Sequence, residues 1–182
     1  KAQRPLFLFG GGLSRECVKA SIEVLENVGI PASMTWNGAD RLPLEHKLNF
    51  GRPNTYGMRR GNVLIQQADL VIALGTRLGL QQTGFAWDKF VPLGKIVQVD
   101  IDANELNKKS PLVHLPICAD ADLVFVSLLT ELSKKGLMGK WNDWLDFGSE
   151  VASLIPLKDS ANQVRVEFIE AFDFVSELSN FL

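Results

Sequence analysis

Four short strings hold the residues best suited to binding a ligand: Gly10-Gly11-Gly12, Gly75-Thr76-Arg77, Asp100-Ile101-Asp102 and Asp120-Ala121. Glycines let backbone approach a phosphate closely, and free N–H groups at a helix start attract an anion. The first string matches a dinucleotide fingerprint only in part. Gly10 and Gly12 fit its first two glycines, but Arg15 stands at the third position, where helix–sheet packing needs a tiny residue. Thr35-Trp36-Asn37 follows the next apolar run, so no acid is in place for NAD recognition through ribose hydroxyls. A ligand cradle and a plain turn both remain open for the glycines. Arg77 can fork onto a phosphate or sit in a surface salt bridge. One of Asp100 and Asp102 can accept from a ribose while the other caps a helix begun at Ala103; two acids supply too few ligands for a metal.

Other chemistry falls away. His46 and His114 lie far apart with no Ser or Cys nucleophile motif nearby, and Cys17 and Cys118 have no metal-ligand spacing. Trp141 and Trp144 read as packing anchors. The strongest basic cluster, Arg59-Arg60, is too small for a nucleic-acid footprint, and the formal net charge is −2. The aliphatic runs are too short to span a bilayer, and Lys1-Ala2-Gln3-Arg4-Pro5 lacks a signal-peptide core. Neither a nucleic-acid partner nor a membrane is expected, and a reducing cytoplasm is the expected location.

The elements that must position these strings follow from periodicity. The 182 residues, 46% hydrophobic and 22% charged, suit one globular domain with an appendage. Apolar runs at 5–9, 30–35, 70–74, 95–101 and 113–118 read as strands, with a short edge strand near 48–50. Val18, Ile22, Leu25 and Val28 form one helical stripe that Gly29 stops; 57–68 is helical, and a short helix fits 86–90. Ala121, Val124, Phe125, Leu128, Leu129 and Leu132 mark the clearest helix, with Asp120 at its N-cap. Alternating strands and helices predict an α/β fold, a doubly wound parallel sheet of Rossmann-like type. Beyond Gly136 a connector helix carrying Trp141 and Trp144, a linker over 156–163 and a last helix bearing Phe168, Phe172, Val175 and Leu178 form a C-terminal helical extension. This tail is expected to be held less firmly than the sheet and to self-associate.

A family resemblance emerges from longer strings. Gly57-Met58-Arg59-Arg60-Gly61-Asn62 precedes the unbroken run from Gln67-Ala68-Asp69 to Gly75-Thr76-Arg77. Gln82-Thr83-Gly84, Phe90, Pro92 and Lys95 come next, then Val99-Asp100-Ile101-Asp102, Glu105-Leu106, Lys108, and Pro116-Ile117 to Asp120-Ala121. In this order, over about 4–135, the chain resembles the central domain of thiamine-diphosphate-dependent enzymes of the acetolactate synthase-like branch.

The resemblance implies about six parallel strands in a DHS-like NAD/FAD-binding fold. It implies a central domain over 1–136, a connector and linker over 137–163, and over 164–182 the truncated start of a C-terminal diphosphate-binding domain. It places Gly10, Gly11, Gly12, Arg77, Thr83, Gly84, Asp100, Asp120 and Ala121 around FAD or ADP. Thr55-Tyr56-Gly57 stands where flavin-binding members usually carry Met-His-Gly, so an occupied pocket and a vestigial one are both open. Thiamine diphosphate and Mg²⁺ would belong to the full-length homodimer or homotetramer acting on a 2-oxo acid. The catalytic glutamate and the metal motif would lie in N- and C-terminal domains outside these residues, so no catalytic or metal-binding residue is expected here and the isolated chain would be inactive. The alternative is a free-standing nucleotide-binding module of the sirtuin, transhydrogenase or electron-transfer-flavoprotein type.

Overall fold

Five parallel strands form one sheet in the computed structural model, which describes residues 1–158 and 168–181. Strands β1 (Pro5–Phe9), β2 (Ala32–Met34), β3 (Leu70–Leu74), β4 (Lys95–Asp100) and β5 (Leu115–Cys118) lie in the order β2-β1-β3-β4-β5. β1 is an interior strand and buried along its whole length, as an uninterrupted apolar run requires when helices cover both faces of a sheet. The chain leaves β1 to one side for β2 and returns on the other for β3. This reversal opens a crevice at the carboxyl ends of β1 and β3.

The expected sixth strand is reduced to one parallel bridge between Ala32 and Asn49. The Ala32 amide donates to the Leu48 carbonyl at 2.7 Å, and the Phe50 amide donates to the Ala32 carbonyl at 2.9 Å. β2 is only three residues long, so it offers too short a template for a further strand.

The helices are α1 (Arg15–Ala20), α2 (Ile22–Val28), α3 (Arg59–Gln67), α4 (Leu80–Thr83), α5 (Ala103–Leu106), α6 (Ala121–Lys134), α7 (Asn142–Leu154) and α8 (Ala171–Phe181). The single helix expected over Val18 to Val28 is broken at Ser21, whose N–H is shared between the Cys17 and Val18 carbonyls, both at 3.1 Å. Gly29 ends α2 in the left-handed conformation at φ 74°. Along α6, Ala121, Phe125 and Leu129 are buried, and Asp120 caps the helix by accepting from the Leu123 amide at 3.1 Å. Phe125 meets Phe7 and Phe9 edge-on at centroid distances of 5.6 and 5.4 Å, which fastens α6 onto β1.

The connector after Gly136 is built into the core, contrary to the expectation of a loosely held tail. Trp141, Trp144 and Val151 are buried, and the Trp144 indole donates to the Pro5 carbonyl at 3.0 Å. The expected linker at 159–163, and 164–167 of the expected lead-in, lie outside the described residues. Among the described residues, no helix is long and apolar enough to cross a membrane.

Candidate functional site

The glycine turn after β1 and the turn after β3 interlock at the crevice. The Gly10 amide donates to the Leu74 carbonyl, and the Gly12 amide to the Gly75 carbonyl, both at 2.9 Å. A Cβ on Gly10 would lie 2.2 Å from the Gly75 oxygen, and one on Gly75 would lie 2.4 Å from the Gly12 carbonyl carbon. Backbone-on-backbone contact therefore requires glycine here whatever binds above. Arg41 holds the turn from the β2 side: its side chain is 8% exposed, Nε donates to the Leu13 carbonyl at 2.5 Å and Nη2 to the Gly11 carbonyl at 3.3 Å. Asp40 joins Arg15 and Arg41. Desolvation works against its carboxylate, but the hydrogen bond from Arg15 and the charges of Arg41 and Arg15 outweigh this and lower its pKa.

The start of α1 is not the open anion seat that the sequence suggests. Ser14 caps it by accepting from the Cys17 amide at 3.0 Å. The Ser14 amide and hydroxyl donate to the two carboxylate oxygens of Asp122, at 2.7 and 2.5 Å. A carboxylate of the chain itself thus takes the Ser14 amide and hydroxyl that a phosphate could use.

Above the turns lies a cleft of about 860 Å³, within the range of small-molecule sites. Of the residues singled out in the sequence, Gly11, Gly12, Gly75, Thr76, Arg77, Asp100, Ile101, Asp102, Asp120 and Ala121 line it. Gly10, Thr83 and Gly84 do not. Gly10 lies beneath, against Gly75; Thr83 is buried in α4 with Oγ1 donating to the Gly79 carbonyl at 3.3 Å; Gly84 caps α4 at φ 73°. The strand-end rule accounts for three more lining residues, Thr35, Trp36 and Asn37, which follow β2. Asn54, Gln81 and Gln82 carried no such signal, since a tertiary contact, the Thr55 amide donating to the Gln81 carbonyl at 2.8 Å, brings the loop before α3 and α4 together at the cleft.

Three carboxylates face one cation. Asp100 Oδ1 accepts from the Asp102 amide at 3.0 Å, and Asp102 Oδ1 caps α5 through the Asn104 amide at 2.9 Å, which settles which of the two acids is the cap. Asp100, Asp102 and Asp120 each keep a second oxygen without a hydrogen-bond partner among the described residues. Arg77 is 79% exposed, its Nε 3.9 Å from Glu105 Oε1, while Lys108 binds the other Glu105 oxygen at 2.6 Å. Asn54 is 5% exposed; its Oδ1 accepts from the Tyr56 amide at 2.7 Å, and its Nδ2 is buried without a partner. Flipping the amide would set one donor against another, so the orphan is a genuine N–H donor, itself buried, on a residue of the cleft lining.

Nothing here assembles a nucleophile or a metal centre. Among the described residues, no three His, Cys, Asp or Glu side chains converge on a metal position. His46 Nε2 lies 2.9 Å from Glu26, and His114 Nδ1 accepts from the Ile96 amide at 3.2 Å. Burial first, then the charge of Asp122, raises the Cys17 thiol above its ordinary value, away from thiolate.

Residues 1–129 match the family model described as the thiamine pyrophosphate enzyme central domain. The chain is 37% identical over 129 residues to the acetolactate synthase isozyme 1 large subunit of Escherichia coli K12, covering 70% of this chain and 22% of that protein. It is 33% identical over 159 residues to an acetolactate synthase of Mycobacterium avium, covering 86% and 25%. Against acetolactate synthase 1, chloroplastic, of Zea mays it is 35% identical over 155 residues, covering 80% and 23%. The chain thus spans about a quarter of the length of the curated relatives it matches.

Proposed function

The chain belongs to the central-domain family of thiamine pyrophosphate enzymes, and from that premise we propose that it works as the middle domain of an acetolactate synthase-like enzyme. That enzyme decarboxylates a 2-oxo acid and joins the product to an acceptor, in the cytoplasm, as a homodimer or homotetramer. Residues 1–136 are its central domain, 137–163 its connector and linker, and 164–182 lead into the diphosphate-binding domain. Thiamine diphosphate supplies a carbanion nucleophile and electron sink when bound. The donor set does not fit it: among the described residues no three His, Cys, Asp or Glu side chains converge to hold a diphosphate-bound metal, and no step of the chemistry is assigned to this chain.

The role left to these residues is to support the enzyme and to hold a nucleotide such as FAD or ADP across the carboxyl edge. The observation that carries this is the cleft at the β1/β3 reversal, with Arg77 on one wall and the unpartnered Asn54 donor on another. There the free oxygen of Asp100 accepts from ribose hydroxyls, and Arg77 meets the phosphates.

Two measurements test the reading. The chain, supplied with a 2-oxo acid, thiamine diphosphate and Mg²⁺, is expected to show no turnover; turnover that survives repurification overturns the assignment. Calorimetry is expected to detect ADP binding that weakens in Arg77→Ala. Equal binding by both proteins removes Arg77 from the site.

A further inference from the structure

We infer that the cleft recognises the nucleoside part of its ligand and gives no net advantage to the diphosphate, an inference that rests on the nucleotide reading above. A diphosphate is ordinarily held by turn amides, by a helix start or by basic side chains. Most of these donors are engaged here, the Gly11 amide at the cleft being the exception. Three amides of the glycine turn are engaged internally: Gly10 with Leu74, Gly12 with Gly75 and Leu13 with Gly10. Asp122 holds the Ser14 donors at the start of α1. The Arg41 guanidinium is turned onto the Gly11 and Leu13 carbonyls and onto Asp40. Arg77 remains, shared with Glu105 and opposed by Asp100, Asp102 and Asp120 on the same lining.

What the cleft offers instead suits an uncharged, hydroxyl-rich molecule with a planar ring. Free oxygens on the three carboxylates accept from hydroxyl groups. The buried Asn54 Nδ2 is a neutral donor in need of an acceptor, and leaving it unpaired is costly. Trp36 is 50% and Ile101 75% exposed, giving apolar surface for a ring. Like charge repels a diphosphate there, and salt weakens that repulsion.

The probes are adenosine and ADP, titrated calorimetrically into the 182-residue chain at low and high NaCl. Adenosine is expected to bind at least as tightly as ADP, and added salt is expected to strengthen ADP while leaving adenosine unchanged. The double variant Asp102→Asn, Asp120→Asn keeps both helix caps, since asparagine caps as well as aspartate. It is expected to shift the ADP-to-adenosine affinity ratio about threefold or more toward ADP, with circular dichroism confirming the fold. ADP binding tenfold tighter than adenosine, and weakening with salt, overturns this inference and leaves the nucleotide reading standing. If neither compound binds, both readings fall.

Discussion

α7 and α8 have the same kind of sequence and opposite fates. Both are amphipathic, with aromatic and aliphatic residues along one stripe. On α7 the stripe is in the core: Trp144 is 3% exposed, packs edge-on against Phe50 at 5.2 Å and donates its indole N–H to the Pro5 carbonyl. On α8, Phe172, Phe174, Val175, Leu178 and Phe181 are all exposed. The difference shows that periodicity identifies which face of a helix needs cover but not whether the chain supplies it. For α7 the cover comes from Pro5 and Phe50, far away in sequence.

The largest effect expected from this contrast is at Trp144. Trp144→Ala removes the ring from between Phe50 and Phe147 and leaves the Pro5 carbonyl without its donor. A loss of about 3–5 kcal/mol in denaturant unfolding is expected. Phe172→Ala on α8, 60% exposed, is expected to stay within about 0.5 kcal/mol. Equal losses would mean that α8 is buried in solution and would dissolve the contrast.

A smaller effect sits at Gly148, inside α7. A Cβ there would lie 2.1 Å from Phe50 Cζ. Phe50 is 3% exposed and packed against Trp144, so its ring has little room to withdraw. Alanine in a helix is favoured over glycine by about 1 kcal/mol, whereas overpacking costs about 1–3 kcal/mol. Gly148→Ala is therefore expected to destabilise by about 1–2 kcal/mol. A gain in stability would show that the α7 seat is looser than its packing implies.

Features decided within a few residues were legible in the sequence. β1 and β3 read correctly from unbroken apolar runs, Asp120 and Gly29 read correctly as caps because capping is local, and the cap of α5, left open between Asp100 and Asp102, falls to Asp102. Features that depend on distant partners were not. The break at Ser21 lies under a stripe that continues through it, and Trp144 on α7 meets its acceptor at Pro5, 139 residues away. The cleft followed the same division. Gly11, Arg77, Asp100 and Asp120 stand at strand ends and were found by that rule, but Asn54 is held at the lining by contacts outside its own loop, its carbonyl accepting from Asn62 Nδ2 and the neighbouring Thr55 amide donating to the Gln81 carbonyl. Gly10 looked like a ligand residue because a glycine required by backbone contact and one required by a phosphate have the same one-letter signature.

On α8, replacing apolar side chains should improve behaviour in solution at no cost in stability. Phe172→Ser with Val175→Ser is expected to leave the unfolding midpoint within about 0.5 kcal/mol. Sedimentation is expected to show less self-association, because the exposed apolar area shrinks. If the double variant unfolds at markedly lower denaturant, the stripe has a folded-state partner.

The smallest effect concerns what ties the two helices together. Lys158, four residues past the end of α7, reaches Asp173 at 2.6 Å and Glu170 at 3.6 Å. The hydrogen bond to Asp173 is the main reason its pKa is raised above the ordinary 10.5; the charges of Asp173 and Glu170 add to it, and desolvation opposes it. A raised pKa means that the contribution is complete below about 10.5 and is lost as pH climbs through the higher folded value. The pairs are solvent-exposed, so salt weakens them too. Hydrogen exchange in 171–181 is expected to quicken modestly in Lys158→Ala and in wild type at high salt, while the α7 amides are unchanged. High salt should add nothing to the variant, because the charge it screens is already gone. If salt quickens α8 equally in both proteins, the tie lies elsewhere than at Lys158.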